Sequence, residues 1–380
     1  MTDPQGPDSP QYPHPLQQQQ AVGAFWQWWR EKGAESLASM FRGQQRDEQT
    51  LHELNALTSQ IAPHLVFEFA SGDSAGLDSE FLFILTAEGV AQFRGPARRW
   101  LLEAPDADAT WAYSDVRLPQ RDFGVLMGDE DVQSSDLRFS VDTGQSAIDL
   151  SVYHPAFEHL QFSHELTSAP TPQDAQPTIE QLGFVLLDNA FGERAVELWL
   201  GQIRFLREEG RAFSATIDDV TGELEQFDAQ FPTEGDGRWV VFENEIEGHV
   251  YVGRSRPPLR ALSAPLLDLH LRIDVPFEAT DNGMPTPEAQ TKLYELEDAL
   301  TERIESYAQH IGPVEQVAKL VAVETMNGVR AFHFYAGGTT GVVEELHKVC
   351  EGFDGVPAEQ KISGEAIVDP GWMRVEHLHF

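Results

Sequence analysis

The fold of this chain is decided by residues 321–338, which have the sequence VAVETMNGVRAFHFYAGG. Two apolar runs of strand length lie on either side of the dipeptide Asn327-Gly328. Asn-Gly is the preferred pair for a two-residue turn, because both residues accept the positive φ angles that this turn requires. The segment therefore predicts an antiparallel hairpin whose strands are residues 317–325 and 329–336.

The segments around this hairpin extend it into a domain. Before it, residues 266–275 have the pattern of a strand and residues 287–309 that of an amphipathic helix. After it, residues 341–350 indicate a helix and residues 361–378 a final strand region. The resulting order, β-α-β-β-α-β, is that of a ferredoxin-like domain. A further β-hairpin, predicted at residues 238–246 and 249–253, precedes it.

The N-terminal part mixes helices and strands in a different order. Residues 1–22 contain five prolines and the run from Gln17 to Gln20, and we expect a disordered leader there. Helices are predicted at 25–41, 51–61, 90–103 and from Ile179, and strands at 64–69, 80–86, 110–117, 136–141, 146–153 and 195–206.

The sequence thus predicts the α+β class, with two domains of antiparallel sheet and packed helices. Residues 208–237 are charged and rich in turn-forming residues, so we place the domain boundary near Arg211. The predicted division is a leader at 1–22, an acidic α+β domain at 23–210 and the ferredoxin-like domain at 211–380.

Charge excludes several classes of partner. The chain has 26 Lys and Arg against 62 Asp and Glu, a formal net charge of −36. Such a charge repels phosphates and anionic membrane surfaces, so we expect neither direct nucleic-acid binding nor membrane binding. Between residues 105 and 250 there are 8 basic and 29 acidic residues. This stretch either presents an acidic face to a basic protein partner or keeps the protein soluble in a salty cytoplasm.

Cellular location is predicted from what the sequence lacks. It has no apolar run of about 18 residues and no secretory signal at its N-terminus, so we expect a cytoplasmic protein. Its one cysteine, Cys350, excludes an intramolecular disulfide and is most simply a small apolar residue of a helix. The oligomeric state is left open.

One motif matches a catalytic pattern. Residues 72–76, Gly-Asp-Ser-Ala-Gly, fit the nucleophile elbow of serine hydrolases. An elbow requires a helix directly after the serine, whereas a strand is predicted at residues 80–86. Ser74 is therefore expected in a hairpin loop. No catalytic residue is assigned, and the balance is against an enzyme without excluding one.

A second glycine-rich segment links a strand to a helix. In Gly337, Gly338, Thr339, Thr340 and Gly341, backbone N–H groups could hold an anion, although the lysine of a Walker loop is missing. The simpler interpretation is that a threonine caps the helix while the glycines form the turn.

The preceding strand adds two side chains to this candidate ligand site. His333 and Tyr335 are two residues apart and so share one face of the strand. Metal sites are not predicted, because His154, His159 and His164 cannot share a face and His377 and His379 have no third ligand. No cofactor is predicted.

Two clusters are candidates for contact with a partner protein. Trp26, Trp28 and Trp29 cannot all face one side of a helix, so one or two belong in the core and the remainder is available for a groove or a partner. The second cluster consists of Asp129, Glu130 and Asp131, for which a solvated acidic turn is the alternative.

The C-terminal half resembles the domain of unknown function 695 family. The segments that carry the resemblance are Arg238-Trp239, residues 267–275, Asn282-Gly283-Met284-Pro285, the helix with Leu296, Glu297, Asp298 and Leu300, residues 330–336, and Asp369-Pro370-Gly371-Trp372. The last of these also resembles the ending of domains similar to the regulator of ribonuclease E activity B. That relation implies a non-catalytic, protein-binding role.

The N-terminal half is similar to an uncharacterised bacterial module. The similarity rests on Phe25-Trp26-x-Trp28, residues 111–117 and Leu187-Asp188-Asn189-x-x-Gly192-Glu193. Two hypotheses follow for the whole chain. The preferred one is a bacterial, cytoplasmic binding or regulatory protein that engages another protein; the alternative is an enzyme or sensor that binds a small anionic ligand at residues 337–341.

Overall fold

The computed structural model describes residues 15–43, 47–120, 123–127, 130–165, 177–210, 213–232 and 237–378. The chain divides into two units, Met1–Val116 and Arg117–Phe380. The boundary predicted near Arg211 falls inside the second unit, and Arg211 itself lies outside the described residues. None of the helices in these ranges combines the length and the hydrophobicity that a bilayer-spanning segment requires.

The first unit packs helices on a three-stranded sheet. Its elements are α1 (Pro15–Trp28), α2 (Ala34–Phe41), α3 (Glu48–Ile61), β1 (Val66–Ser71), β2 (Phe81–Thr86), α4 (Arg94–Leu102) and β3 (Trp111–Ser114). The sheet order is β1-β2-β3, with β1 and β2 antiparallel as predicted and β3 parallel to β2. Ser74 lies in the turn between β1 and β2, so no helix follows it.

Part of the predicted leader is helical. Helix α1 begins at Pro15, and Gln18 and Val22 are fully buried. Gln18 accepts a hydrogen bond of 2.8 Å from Arg99 of α4. Glutamine is a good helix former, and this partner allows one glutamine of the run to be buried.

The described residues of the N-terminal part of the second unit form two small sheets and three α-helices. Its elements are β4 (Gly124–Met127), β5 (Glu130–Gln133), β6 (Arg138–Thr143), β7 (Ile148–Tyr153), α5 (Ile179–Phe191), α6 (Glu193–Trp199), β8 (Leu200–Leu206) and α7 (Ile217–Gln230). One sheet has the order β6-β7-β8 and the other pairs β4 with β5. The strand predicted at 195–206 begins only at Leu200, because residues 195–199 belong to α6.

The C-terminal part is built on a six-stranded antiparallel sheet. Its elements are β9 (Val240–Ile246), β10 (His249–Ser255), β11 (Leu269–Pro276), α8 (Pro287–Ile311), the one-turn α9 (Val314–Val317), β12 (Ala318–Met326), β13 (Val329–Ala336), α10 (Val342–Glu351) and β14 (Ser363–Val368). The strand order is β14-β11-β13-β12-β10-β9. The α+β class is therefore confirmed.

Helices α8 and α10 cover one face of this sheet. Leu271, Ile273, Phe332 and Phe334 point toward them and form the core with the apolar side of α8. We call this the helix face of the sheet. Alternation along each strand places the intervening residues, among them His333, on the opposite face.

Candidate functional site

An open groove lies on the helix face, between α10 and the edge strand β14. Its volume is about 750 Å³, which is within the range of known ligand pockets. The lining residues are Leu271, Ile273, Val343, Glu344, His347, Lys348, Cys350, Glu351, Phe353, Val356, Gln360, Lys361, Ile362, Ser363, Gly364 and Ala366. The floor comes from the sheet, and the walls come from α10 and the segment that follows it.

The groove exists because β14 carries small residues on its helix face. Ala366 and Gly364 are paired with Leu271 and Ile273 of β11, so they occupy the positions above the core. A Cβ atom at Gly364 would meet only the carbonyl oxygen of Arg272, at 3.7 Å. Larger side chains would therefore fit on this strand, and the choice of Gly and Ala leaves the apolar floor open.

The outer edge of β14 has no neighbouring strand among the described residues. It is the terminal strand of the sheet order and is paired only with β11. Most of its residues, including Glu365 and Val368, are exposed. In an edge strand, every second residue directs its backbone N–H and C=O groups away from the sheet. The groove is therefore bounded by backbone groups that are available to another chain.

The charged residues around the groove are balanced in sign. Lys348 and Lys361 are two of the five lysines in the sequence, and Glu344 and Glu351 also line the groove. Lys348 contacts Glu345 at 2.6 Å and is largely exposed. This region thus lacks the strong negative charge of the chain as a whole.

Cys350 contributes to the wall of the groove. It is half-buried, and burial raises the pKa of its thiol to about 11. Such a thiol is almost entirely protonated at neutral pH. Its contribution to the groove is that of a small apolar side chain, as the sequence suggested.

The opposite face of the sheet carries a chain of buried polar side chains. His270 Nε2 lies 3.1 Å from His333 Nδ1, and His333 Nε2 lies 2.6 Å from Glu324. Glu324 also accepts a hydrogen bond of 2.6 Å from Tyr251. Burial raises the pKa of Glu324, but the bonds from His333 and Tyr251 outweigh it and bring this pKa to about 2. Burial, with His333 nearby, lowers the pKa of His270 to about 4.

Tyr335 shares this face with His333, as their spacing predicted. Its hydroxyl donates to Asp369 at 2.5 Å, and Asp369 also accepts from the backbone N–H groups of Met373 and Arg374. Burial and the Asp369 charge raise the pKa of Tyr335. His333 and Tyr335 are both fully enclosed. The structure brings these two candidate ligand residues together inside the protein.

The glycine-rich turn after β13 is already hydrogen-bonded internally. Gly338 donates its N–H to Asp268 at 2.8 Å, so a carboxylate takes the amide that an anion would need. Thr340 bonds to Gly337 through both its N–H and its hydroxyl, at 3.0 and 2.7 Å. Gly338 and Thr339 are exposed. These contacts close the turn before α10. The N-cap of this helix is Gly341, so the threonine cap that the sequence suggested is not formed.

The tryptophan cluster divides between core and surface. Trp26 and Trp29 are buried, and their indole N–H groups donate to Trp100 O and to the Tyr113 hydroxyl, both at 2.8 Å. Trp28 is partly exposed and donates to Glu53 at 2.9 Å. Trp28 is thus the member that reaches the surface.

Of the acidic cluster, Asp129 lies outside the described residues. Glu130 and Asp131 belong to β5, which pairs with β4. In the described ranges, no group of three His, Cys, Asp or Glu residues is arranged to hold a metal ion.

The residues that line the groove were not among the sites predicted from the sequence. Gly364 and Ala366 were included in a predicted strand, and the signal that could have identified them is the absence of large apolar residues at alternate positions of that strand. A strand with such small residues cannot cover the apolar core at its edge of the sheet.

Comparison with known proteins bears on the part of the chain that contains the groove. No curated protein and no solved structure gave a match to this chain. Residues 237–373 match the model described as "Family of unknown function (DUF695)", so the resemblance of the C-terminal part to that family is confirmed.

Proposed function

We propose that this protein is a non-enzymatic binding or regulatory protein of the cytoplasm that engages a protein partner through the groove at β14. The observation that carries the proposal is the open apolar groove beside an edge strand of the same sheet. The occupant would be an extended segment of the partner. It would pair with β14 as a seventh strand.

The addition of a strand would use both the unpaired edge of β14 and the apolar groove beside it. Backbone hydrogen bonds to β14 would give affinity, and side chains at alternate positions would enter the groove and give specificity. Six residues of β14 span about 20 Å, enough for three inward-pointing side chains. The small residues Gly364 and Ala366 leave these side chains in contact with Leu271 and Ile273. We therefore expect apolar residues at alternate positions of the partner segment.

The acidic stretch supports a basic partner protein. Residues 105–250 carry a net charge of −21, from 29 acidic and 8 basic residues. Charge of this kind accelerates the encounter with an oppositely charged protein and is screened by salt. In this proposal the negative charge raises the association rate, while the charge-balanced groove holds an apolar segment.

The proposal is tested with a library of displayed ten-residue peptides selected against the full chain. Selected peptides should have apolar residues at alternate positions and bind the purified protein in isothermal titration calorimetry. Ala366→Phe fills the groove from its floor and should weaken binding at least tenfold. Glu365→Phe places the same ring on the opposite face of β14 and should leave the affinity unchanged.

Two results would overturn the proposal. One is a set of selected peptides that bind the Ala366→Phe and Glu365→Phe variants equally well. The other is a wild-type protein that enriches no peptide and sediments as a dimer, which Ala366→Phe converts to a monomer. In that case the groove receives a second copy of this chain.

A further inference from the structure

Three arginines lie on the helix face of the sheet: Arg254 on β10, Arg256 just after it, and Arg330 on β13. Arg254 and Arg256 each place the guanidinium carbon 4.5 Å from the centroid of the Trp239 ring. The guanidinium carbon of Arg330 lies 5.6 Å from the ring centroid of Tyr294 on α8. We call these five residues the arginine cluster. They gather positive charge in a chain whose acidic residues outnumber its basic ones by 62 to 26.

The contacts of Arg330 leave one of its own donors unused. Its side chain is only 6% exposed. Its Nε donates to the Thr325 hydroxyl at 3.0 Å and one terminal nitrogen donates to Gln290 Oε1 at 3.1 Å. Both acceptors are neutral, and the other terminal nitrogen, Nη1, has no acceptor among the described residues. A buried guanidinium N–H without an acceptor is unfavourable, and an oxygen ligand would remove that cost.

One carboxylate, that of Glu297, lies close to both Arg254 and Arg330. Glu297 is hydrogen-bonded to Arg254 and is largely buried. Gln290, Tyr294 and Glu297 follow one another at helical spacing, so α8 turns one face toward the arginines. Burial lowers the pKa of Arg330; the charge of Glu297 raises it and that of Arg254 lowers it again. One carboxylate therefore faces two guanidinium groups.

We infer that the arginine cluster binds an oxyanion, the phosphate or carboxylate group of a small molecule, with Arg330 Nη1 and Arg254 as its donors. Guanidinium groups present paired N–H donors that match the oxygens of both groups. Tyr294, whose ring lies over the Arg330 guanidinium, is 51% exposed. The aromatic rings of Trp239 and Tyr294 would flank the bound group.

This site differs from the glycine-rich turn at residues 337–341. There Asp268 accepts from the Gly338 amide, and its negative charge would oppose an anion. At the arginine cluster, by contrast, the unused donor is Nη1 of Arg330, whose positive charge would attract an anion. A small anionic ligand thus has its best partners on residues that the sequence motifs did not indicate.

The test uses the full chain with sodium phosphate and sodium citrate as probes. Sodium chloride at matched ionic strength is the control for screening. Phosphate, citrate or both should raise the melting temperature above the chloride value and give a dissociation constant by calorimetry. Arg330→Lys and Arg254→Gln should each weaken that binding at least tenfold. Arg303→Gln, which changes a half-exposed arginine of the same helix layer, should not affect it.

The pattern of responses decides the outcome. A response to phosphate alone, or to citrate alone, assigns the ligand class. The inference is overturned when chloride stabilises the protein as much as both oxyanions do. It is also overturned when Arg254→Gln, at a position that is one-quarter exposed and so tolerant of change, keeps the wild-type affinity.

Discussion

Tyr335 and Trp372 stack face to face, with ring centroids 4.0 Å apart and planes inclined by 10°. The indole N–H of Trp372 donates to Leu267 O at 2.9 Å, and the Tyr335 hydroxyl donates to Asp369. Trp372 has a φ of 58°, a backbone conformation that is unfavourable for a residue with a side chain. The ring contacts must outweigh that strain. They fix residues 369–378 over the buried polar side chains on the face of the sheet opposite the helices.

Replacing Trp372 with alanine should therefore destabilise the protein. Its side chain is 2% exposed, and large-to-small changes at buried aromatic positions cost about 3–5 kcal/mol. The free energy of unfolding in urea measures the effect. Met373→Ala is the matched control, because this neighbour is 63% exposed and should change stability by no more than about 0.5 kcal/mol. Equal stability of the two variants would contradict the assigned role of the stack.

Stability should fall as the pH is lowered from 7.5 to 5.0. The folded pKa of His270 is about 4, below its ordinary value of 6.5, so the unfolded chain binds more protons between these values. The stability linked to this residue is present above pH 6.5 and is lost as the pH falls toward 4. The loss at pH 5.0 amounts to about 2 kcal/mol.

His270→Phe should remove about that much of the pH dependence of unfolding. His347→Gln is the control, because His347 is largely exposed and lies on α10. Glu324, with a folded pKa of about 2, adds a loss of the same sign below pH 4.5. A wild-type slope that survives in the His270→Phe variant would assign the effect to other groups.

The central hairpin could be predicted because its signal is local. Asn327 and Gly328 have φ angles of 47° and 78°, and few residue pairs other than Asn-Gly accept such values. The predicted strands at 317–325 and 329–336 differ from β12 and β13 by no more than one residue. A turn that constrains its two residues so strongly also fixes the register of the strands beside it.

Helix α7 was not predicted, although its signals are present. Residues 208–237 were interpreted as a charged boundary because acidic residues dominate them. Thr216 and Asp219 form a capping box at the start of the helix, and Val220, Leu224 and Phe227 form its buried stripe. The capping pair is a weak signal in the sequence, because Asp219 stands where a capping box usually has Glu or Gln.

The groove and the arginine cluster could not be found from the sequence. Each brings together residues that are far apart in the chain, such as Arg254 and Arg330, or Leu271 and Ala366. Their proximity depends on the exact register of the paired strands and on how the preceding hairpin joins the sheet, and local patterns leave both undetermined. The same holds for the contact between His270 and His333.

Gly328→Ala should test how strongly the central turn constrains the fold. An added Cβ would make only ordinary contacts, the nearest at 3.7 Å, so the cost comes from the positive φ. That cost is about 1–2 kcal/mol for a residue other than glycine. Gly364→Ala is the control, since its nearest contact is also at 3.7 Å and its φ is ordinary. Urea unfolding should show a loss for the first variant and a change below about 0.5 kcal/mol for the second.

The reactivity of Cys350 should report on the groove directly, because the chain has no other cysteine. A pKa of about 11 in place of the ordinary 9.0 lowers the thiolate fraction at pH 8 roughly ninetyfold. The higher basicity makes the thiolate roughly eightfold more nucleophilic, so alkylation should be about tenfold slower than for an unperturbed thiol. Mass spectrometry after timed iodoacetamide labelling measures this rate, with the urea-unfolded chain as reference. Equal labelling rates for the folded and unfolded chains would contradict the burial of Cys350. A selected peptide that slows labelling further would lie in the groove against α10.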